Sequence, residues 1–103
     1  MSVVFDQKTL TPAVTLTTVS TAIISTGCEV AALVFCNKDT AQRTVTVVDA
    51  NSKALVSGLT IDPGKTQQVA FDPPQFMDGA VKWSASANSA IDAHIMANTA
   101  RNV

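Results

Sequence analysis

Apolar and polar residues alternate along three separate stretches of this chain. Thr44-Val45-Thr46-Val47, Val81-Lys82-Trp83-Ser84-Ala85 and Ile91-Asp92-Ala93-His94-Ile95 each step at every second residue. That period sends one set of side chains to one face of a strand and the rest to the other. The apolar phase of these segments and of 66–71 predicts a core of Val45, Val47, Val69, Phe71, Val81, Trp83, Ile91 and Ile95. Turn residues interrupt the pattern at intervals of roughly ten, the spacing of an all-β chain. Asn37-Lys38-Asp39-Thr40 and Asp49-Ala50-Asn51-Ser52-Lys53 read as hairpin loops. In Asp62-Pro63-Gly64-Lys65, Pro pre-sets the first central position of a type II turn and Gly supplies the positive φ of the second. This turn joins 59–61 to 66–71. Residues 72–79 contain Pro73 and Pro74, which cannot sit inside a hydrogen-bonded ladder, so they read as a crossover between sheets.

The fold class that follows is all-β: a single small antiparallel β-sandwich, jelly-roll or Ig-like, of about seven or eight short strands. Val14 and Leu16 alternate with threonines, but the phase slips by Ile23-Ile24, which places a bulge or tight turn near 18–21. No window joins a 3.6-residue period to good helix formers, so helix is confined to single turns. The chain divides into an N-terminal arm (1–12), the sandwich (13–99) and a C-terminal tail (100–103). Val3-Val4-Phe5 is too apolar for a free tail, so these three are candidate interface residues, in an arm that docks on a neighbour or adds an edge strand.

Composition sharpens the picture. Of 103 residues 47% are hydrophobic and 15% charged, against a usual charged share of about 25%. The outward phases carry Thr, Ser, Gln and Ala more than Lys or Glu, and 13–17 and 54–61 carry no charge at all. Sheets usually guard free edges with charge or proline, so these edges call for a covering partner. Net charge is −1 with seven scattered Lys and Arg, and there is no Tyr. That lacks both the basic footprint and the stacking platform of a nucleic-acid binder. The first ten residues lack the apolar run of a secretory signal, and the longest apolar run, 30–36, is too short to span a bilayer. On one extended strand, Cys28 and Cys36 would lie about 27 Å apart. Both are then free, buried thiols, as a reducing compartment allows.

Candidate chemistry is sparse. His94 is the sole imidazole, and Asp92 shares its side of the last strand, so a carboxylate could steer the ring. A solvated or interface pair is the stronger reading, since both lie on the polar phase. Cys28, Cys36, His94 and Asp92 show no paired ligand spacing for zinc, and Asp39, Asp49, Asp62, Asp72 and Asp78 are ordinary turn residues. Trp83 reads as core and not as a sugar-stacking platform. No cofactor, metal or catalytic residue is expected, and the chain reads as not an enzyme.

Three segments carry a resemblance: Val34-Phe35-Cys36-Asn37-Lys38-Asp39, the Thr/Val strand 44–48, and Phe76-Met77-Asp78-Gly79-Ala80-Val81-Lys82-Trp83-Ser84-Ala85. Over roughly 28–97 the chain resembles the small β-sandwich virion structural proteins of tailed bacteriophages, of the capsid decoration (cement) type. The resemblance implies a non-enzymatic particle accessory protein, located in the virion after assembly in the host cytoplasm. It would form a homo-oligomer, for example a trimer, and bind the major capsid or other virion proteins, with neither nucleic acid nor membrane as partner. The alternative is a β-sandwich module that binds carbohydrate or a cell surface.

Overall fold

The computed structural model describes the backbone of residues 3–10, 14–24 and 27–102, and the side chains of 14–24 and 27–97. Among them nine strands form: β1 (Val3–Leu10), β2 (Val14–Thr15), β3 (Thr21–Ala22), β4 (Cys28–Asn37), β5 (Arg43–Val48), β6 (Ala54–Ile61), β7 (Thr66–Met77), β8 (Lys82–Ala85) and β9 (Ile91–Asn102). They build two antiparallel sheets. One has the order β1-β9-β4-β7, with β2 beside β9 as well; the other has the order β3-β8-β5-β6. β1 pairs with Met96–Asn102 and β2 with Asp92 and Ala93, so the two follow one another along the same edge of β9. Counted as one interrupted strand, they leave eight strands in two four-stranded layers with jelly-roll connectivity.

That connectivity explains the loops. Only β5 and β6 are joined in sequence and also paired; every other described connection, from β2 onward, passes from one sheet to the other. The 38–42 segment is therefore a crossing and not a hairpin loop, whereas 49–53 is a hairpin loop. The Asp62-Pro63-Gly64-Lys65 turn forms as the sequence predicts: Lys65 N–H donates to the Asp62 carbonyl at 3.1 Å, and Gly64 has φ of 71°.

The prediction for 72–79 needs correction. β7 continues through Pro73 and Pro74 to Met77 in the same sheet, and the crossing to β8 occupies only 78–81. Proline is tolerated here because β7 is an edge strand and its ladder is already broken. Ala32 pairs with Ala70 but Val30 pairs with Gln75, so 71–74 bulge out opposite Ala31.

Ala31 is also the extra residue on the other side of β4, where Val30 pairs with Ala97 and Ala32 with Met96. The bulge reverses the facing of the strand. Cys28 and Val30 point inward before it; Leu33, Phe35 and Asn37 point inward after it, and Val34 and Cys36 turn outward. Both cysteines are free and half-buried, not fully buried as the composition suggests.

The interior is built by the predicted phases. Val45, Val47, Val81, Trp83, Ile91 and Ile95 are buried, while Val69 and Phe71 are partly buried against them. Trp83 meets Phe35 edge to face across the two sheets, ring centroids 6.1 Å apart. Leu16, Ile23, Leu33, Ile61 and Met77 complete the core. The sheet pairing of β1 and the far end of β9 extends beyond this body. Glu29 pairs with Asn98, and residues 99–102 have β1 alone as strand neighbour among the described residues, so a two-stranded ribbon extends past the end of β4. β9 thus runs to Asn102, through residues that show no sustained alternation in the sequence.

Candidate functional site

The Asp92–His94 pair lies on the outer face of the β1-β9-β4-β7 sheet, where His94 is register partner to Val34 and Asp92 to Cys36. Thr15 Oγ1 donates to Asp92 Oδ1 at 2.8 Å, and Lys38 Nζ stands 3.1 Å from the same oxygen. The Thr15 hydroxyl, with help from the Lys38 ammonium and His94, holds the Asp92 carboxyl below the ordinary carboxylate range against the opposing effect of burial. The cluster ties β2 and the 38–42 crossing to β9.

The turn aspartates are engaged locally. Asp39 accepts from Thr40 N–H and Arg43 Nε, Asp49 from Asn51 and Lys53 N–H, Asp62 from Gln42 Nε2, and Asp78 from Ala80 N–H. The bonds from Thr40, Asn51, Lys53 and Ala80 N–H are the local backbone closures that make Asp a turn residue, whereas Arg43 and Gln42 reach Asp39 and Asp62 by side chain. Among the described residues no group of three His, Cys, Asp or Glu gathers as metal ligands would. A shallow cleft of about 360 Å³ between Ser20, Asp49, Ser52, Gly79 and Lys82 mixes both charge signs without a convergent set of donors.

The sandwich edge made by β2, β3 and the 16–20 crossing is different in kind. Residues 14–24 carry no charge, and Val14 and Val19 are exposed, Val19 at 69%. Beside Val14 a slot of about 130 Å³, lined by Val14, Leu16, Thr21 and Trp83, opens where the two sheets part. Sequence reasoning identified the uncharged strand here but missed the slot, because only the separation of two-residue strands on opposite sheets creates it.

The other uncharged strand, β6, is also an edge and is uncovered among the described residues. It is guarded by irregularity instead of charge. Leu55 is extra between the pairs Val47–Val56 and Val48–Ala54. Ser57 and Gly58 together oppose Thr46, with Gly58 at φ of 58°. Bulges twist an edge away from strand addition.

Phe76, grouped by the sequence with the core aromatics, is 66% exposed. Its ring lies over Gly27, where any Cβ would overlap it, and its register partner is Glu29. Val3, Val4 and Phe5 lie on β1, paired with Asn102, Arg101 and Ala100; the placement of their side chains lies outside the described residues. Comparison with family models, curated proteins and solved structures finds no match for the chain.

Proposed function

We propose that the chain is a non-enzymatic virion structural protein, a capsid decoration (cement) protein or another accessory protein of the particle, that oligomerises and docks on the viral lattice. The observation that carries this reading is the charge-free edge of residues 14–24, where Val14 and Val19 are presented to solvent and Val14 lines the slot over Trp83. Exposed apolar surface without flanking charge is characteristic of an interface. Fold analogy adds support, since jelly rolls recur in viral capsid proteins. Burying about 400 Å² of apolar area per copy would contribute about 10 kcal/mol before the entropy of association is subtracted. Attachment of this kind depends weakly on salt.

The test is to add the protein to particles stripped of it and to count bound copies at low and high salt, with native mass spectrometry of the free protein alongside. Saturable, salt-insensitive occupancy by a closed oligomer is the expected result. A monomer that leaves every particle bare removes the reading.

Phe76 favours a second reading, a carbohydrate- or cell-surface-binding module, because an exposed aromatic ring beside a carboxylate can stack on a sugar and accept its hydroxyls. Lectin domains also use the jelly roll. Glycan binding lost in Phe76→Ala would select this alternative.

A further inference from the structure

We propose that two copies of the chain pair through β7, with 66–70 of one laid antiparallel to 66–70 of the other. This rests on the reading above that the chain associates with itself. Among the described residues the two sheets end at β7 and at the edges made by β1 with β2, by β3 and by β6. All but β7 are guarded. β6 is bulged at Leu55 and at Ser57-Gly58. β1 carries Asp6 and Lys8 and is bulged at Asp6, since Phe5 pairs with Ala100 and Gln7 with Thr99. β2 and β3 have two residues each, too few to hold a partner strand. From Thr66 to Ala70, by contrast, β7 steps along β4 without a break, Thr66 against Cys36 through Ala70 against Ala32. That stretch contains no charge, proline or glycine. A regular, uncharged edge is a template for strand addition.

The ladder fixes the register of the contact. Asn37 N–H donates to the Lys65 carbonyl at 2.9 Å, so the odd positions of 65–69 turn their backbone groups toward β4. Thr66, Gln68 and Ala70 then turn theirs outward. A two-fold axis that engages all three sets Gln68 opposite itself and Thr66 opposite Ala70, and each of these pairs exchanges both of its hydrogen bonds.

The ends of the stretch select a second copy as the partner. Uncharged 66–71 is flanked by Lys65 and Asp72, both exposed and neither in an ion pair among the described residues. In the two-fold register Lys65 of each copy lies opposite Phe71 of the other and one step from its Asp72, so opposite charges are neighbours at both ends. A parallel arrangement would set like charges together. The copy also ends where it must: its own 71–74 bulge falls opposite the 62–65 turn, beyond the ladder. β7 and β2 bound opposite sides of their sheet. Paired copies therefore form one continuous sheet and leave both 14–24 edges free for the particle.

Substitutions at exposed positions test the contact. In a Cys28→Ala, Cys36→Ser background, Gln68→Cys places one thiol per chain opposite its copy, at a Cα separation of about 5.5 Å that a disulfide can span. Oxidation should link the chains into covalent dimers at least tenfold faster than in a Thr60→Cys control, which puts its exposed thiol on β6. In the parent background, Lys65→Glu sets like charges together at both ends of the ladder. It should raise the dissociation constant on native mass spectrometry about tenfold, because the axis doubles every change. Adding Asp72→Lys should restore pairing, a recovery that damage to the fold cannot produce. Linking no faster than the control overturns the β7 contact, and so does a dissociation constant unmoved by Lys65→Glu; an oligomer that persists in either case leaves the association reading standing. A parent chain that stays monomeric at every concentration overturns both.

Discussion

The Asn37 side chain donates from Nδ2 to the carbonyl of Ile61 at 2.9 Å, joining the end of β4 to the end of β6 across the two sheets. The same amide donates to the Ala41 carbonyl, and Oδ1 accepts from Asp39 N–H. The Asn37 main chain exchanges two more bonds with the 62–65 turn, from Asn37 N–H to the Lys65 carbonyl and from Gly64 N–H to the Asn37 carbonyl. Fully buried, Asn37 thereby satisfies every polar atom it carries and fixes two crossings at one point.

Asn37→Leu should therefore cost about 3 kcal/mol, because it leaves the Ile61 carbonyl, the Ala41 carbonyl and Asp39 N–H without their partner, at roughly 1 kcal/mol or more each. Denaturant melts of the two forms measure it. A loss below 1 kcal/mol would show that water replaces the amide and that the crossings do not depend on it.

Trp83→Ala should cost about 3 to 5 kcal/mol. Trp83 is the largest buried side chain, and its ring bridges the layers to Phe35. Against a total of about 5 to 15 kcal/mol, thermal melting should show a large downward shift, and an unshifted midpoint would place Trp83 outside the load path between the sheets.

Ser52 and Ser89 hold φ of 60° and 61°, a region that disfavours side chains with a Cβ. Replacing either with Gly or Asn should raise stability by about 0.5 to 1 kcal/mol. Ser89 is the better test, since its N–H donates to the Leu16 carbonyl and the turn is anchored to the 16–20 crossing. Lower melting temperatures for both glycine variants would contradict the strain.

Acid should loosen the β2 edge first. The Asp92 carboxyl is held below its ordinary value in the folded protein. Its contribution is therefore complete above the unfolded carboxylate value of about 3.9 and is lost as pH falls through the lower folded value. Asp92→Asn should flatten the decline of stability below that point while lowering stability at neutral pH. Part of the decline persists through Asp39, whose carboxyl is lowered by the Thr40 N–H and Arg43. Melts over pH 2 to 7, about the range in which carboxylates titrate, distinguish the two: parallel profiles for variant and parent remove Asp92 from the acid response.

Much of the core could be read from the sequence because local alternation and burial coincide in β5, β8 and β9. Val45, Val47, Trp83, Ile91 and Ile95 stand where their phase puts them. What failed to show was non-local. Alternation cannot say whether a turn pairs its flanking strands or carries the chain to the other sheet, so 38–42 looked like the hairpin loop at 49–53. Two prolines normally end a strand, yet the bulge opposite Ala31 lets β7 pass through them. Phe76 looked like core by residue type, and only the pairing with Glu29 reveals that it faces outward. The candidate surface was half visible: the missing charge is a property of the sequence, whereas the slot over Trp83 depends on how far apart the edges of the two sheets stand.

The single extra residue at Ala31 also gives the molecule a built-in reporter. Eight positions apart on an unbroken strand, two thiols would share one side and behave alike; the reversal separates them. Cys28 packs against the interior and burial pushes its thiol up, toward the unreactive protonated form, while Cys36 joins Val34 and His94 on the outer face. An alkylating probe should mark Cys36 and spare Cys28, giving one dye per chain without mutation. Cys36 is register partner to Asp92, and Asp92 to Thr15, so that dye sits two strand spacings, roughly 10 Å, from the 14–24 edge, and its colour reports when that edge is covered.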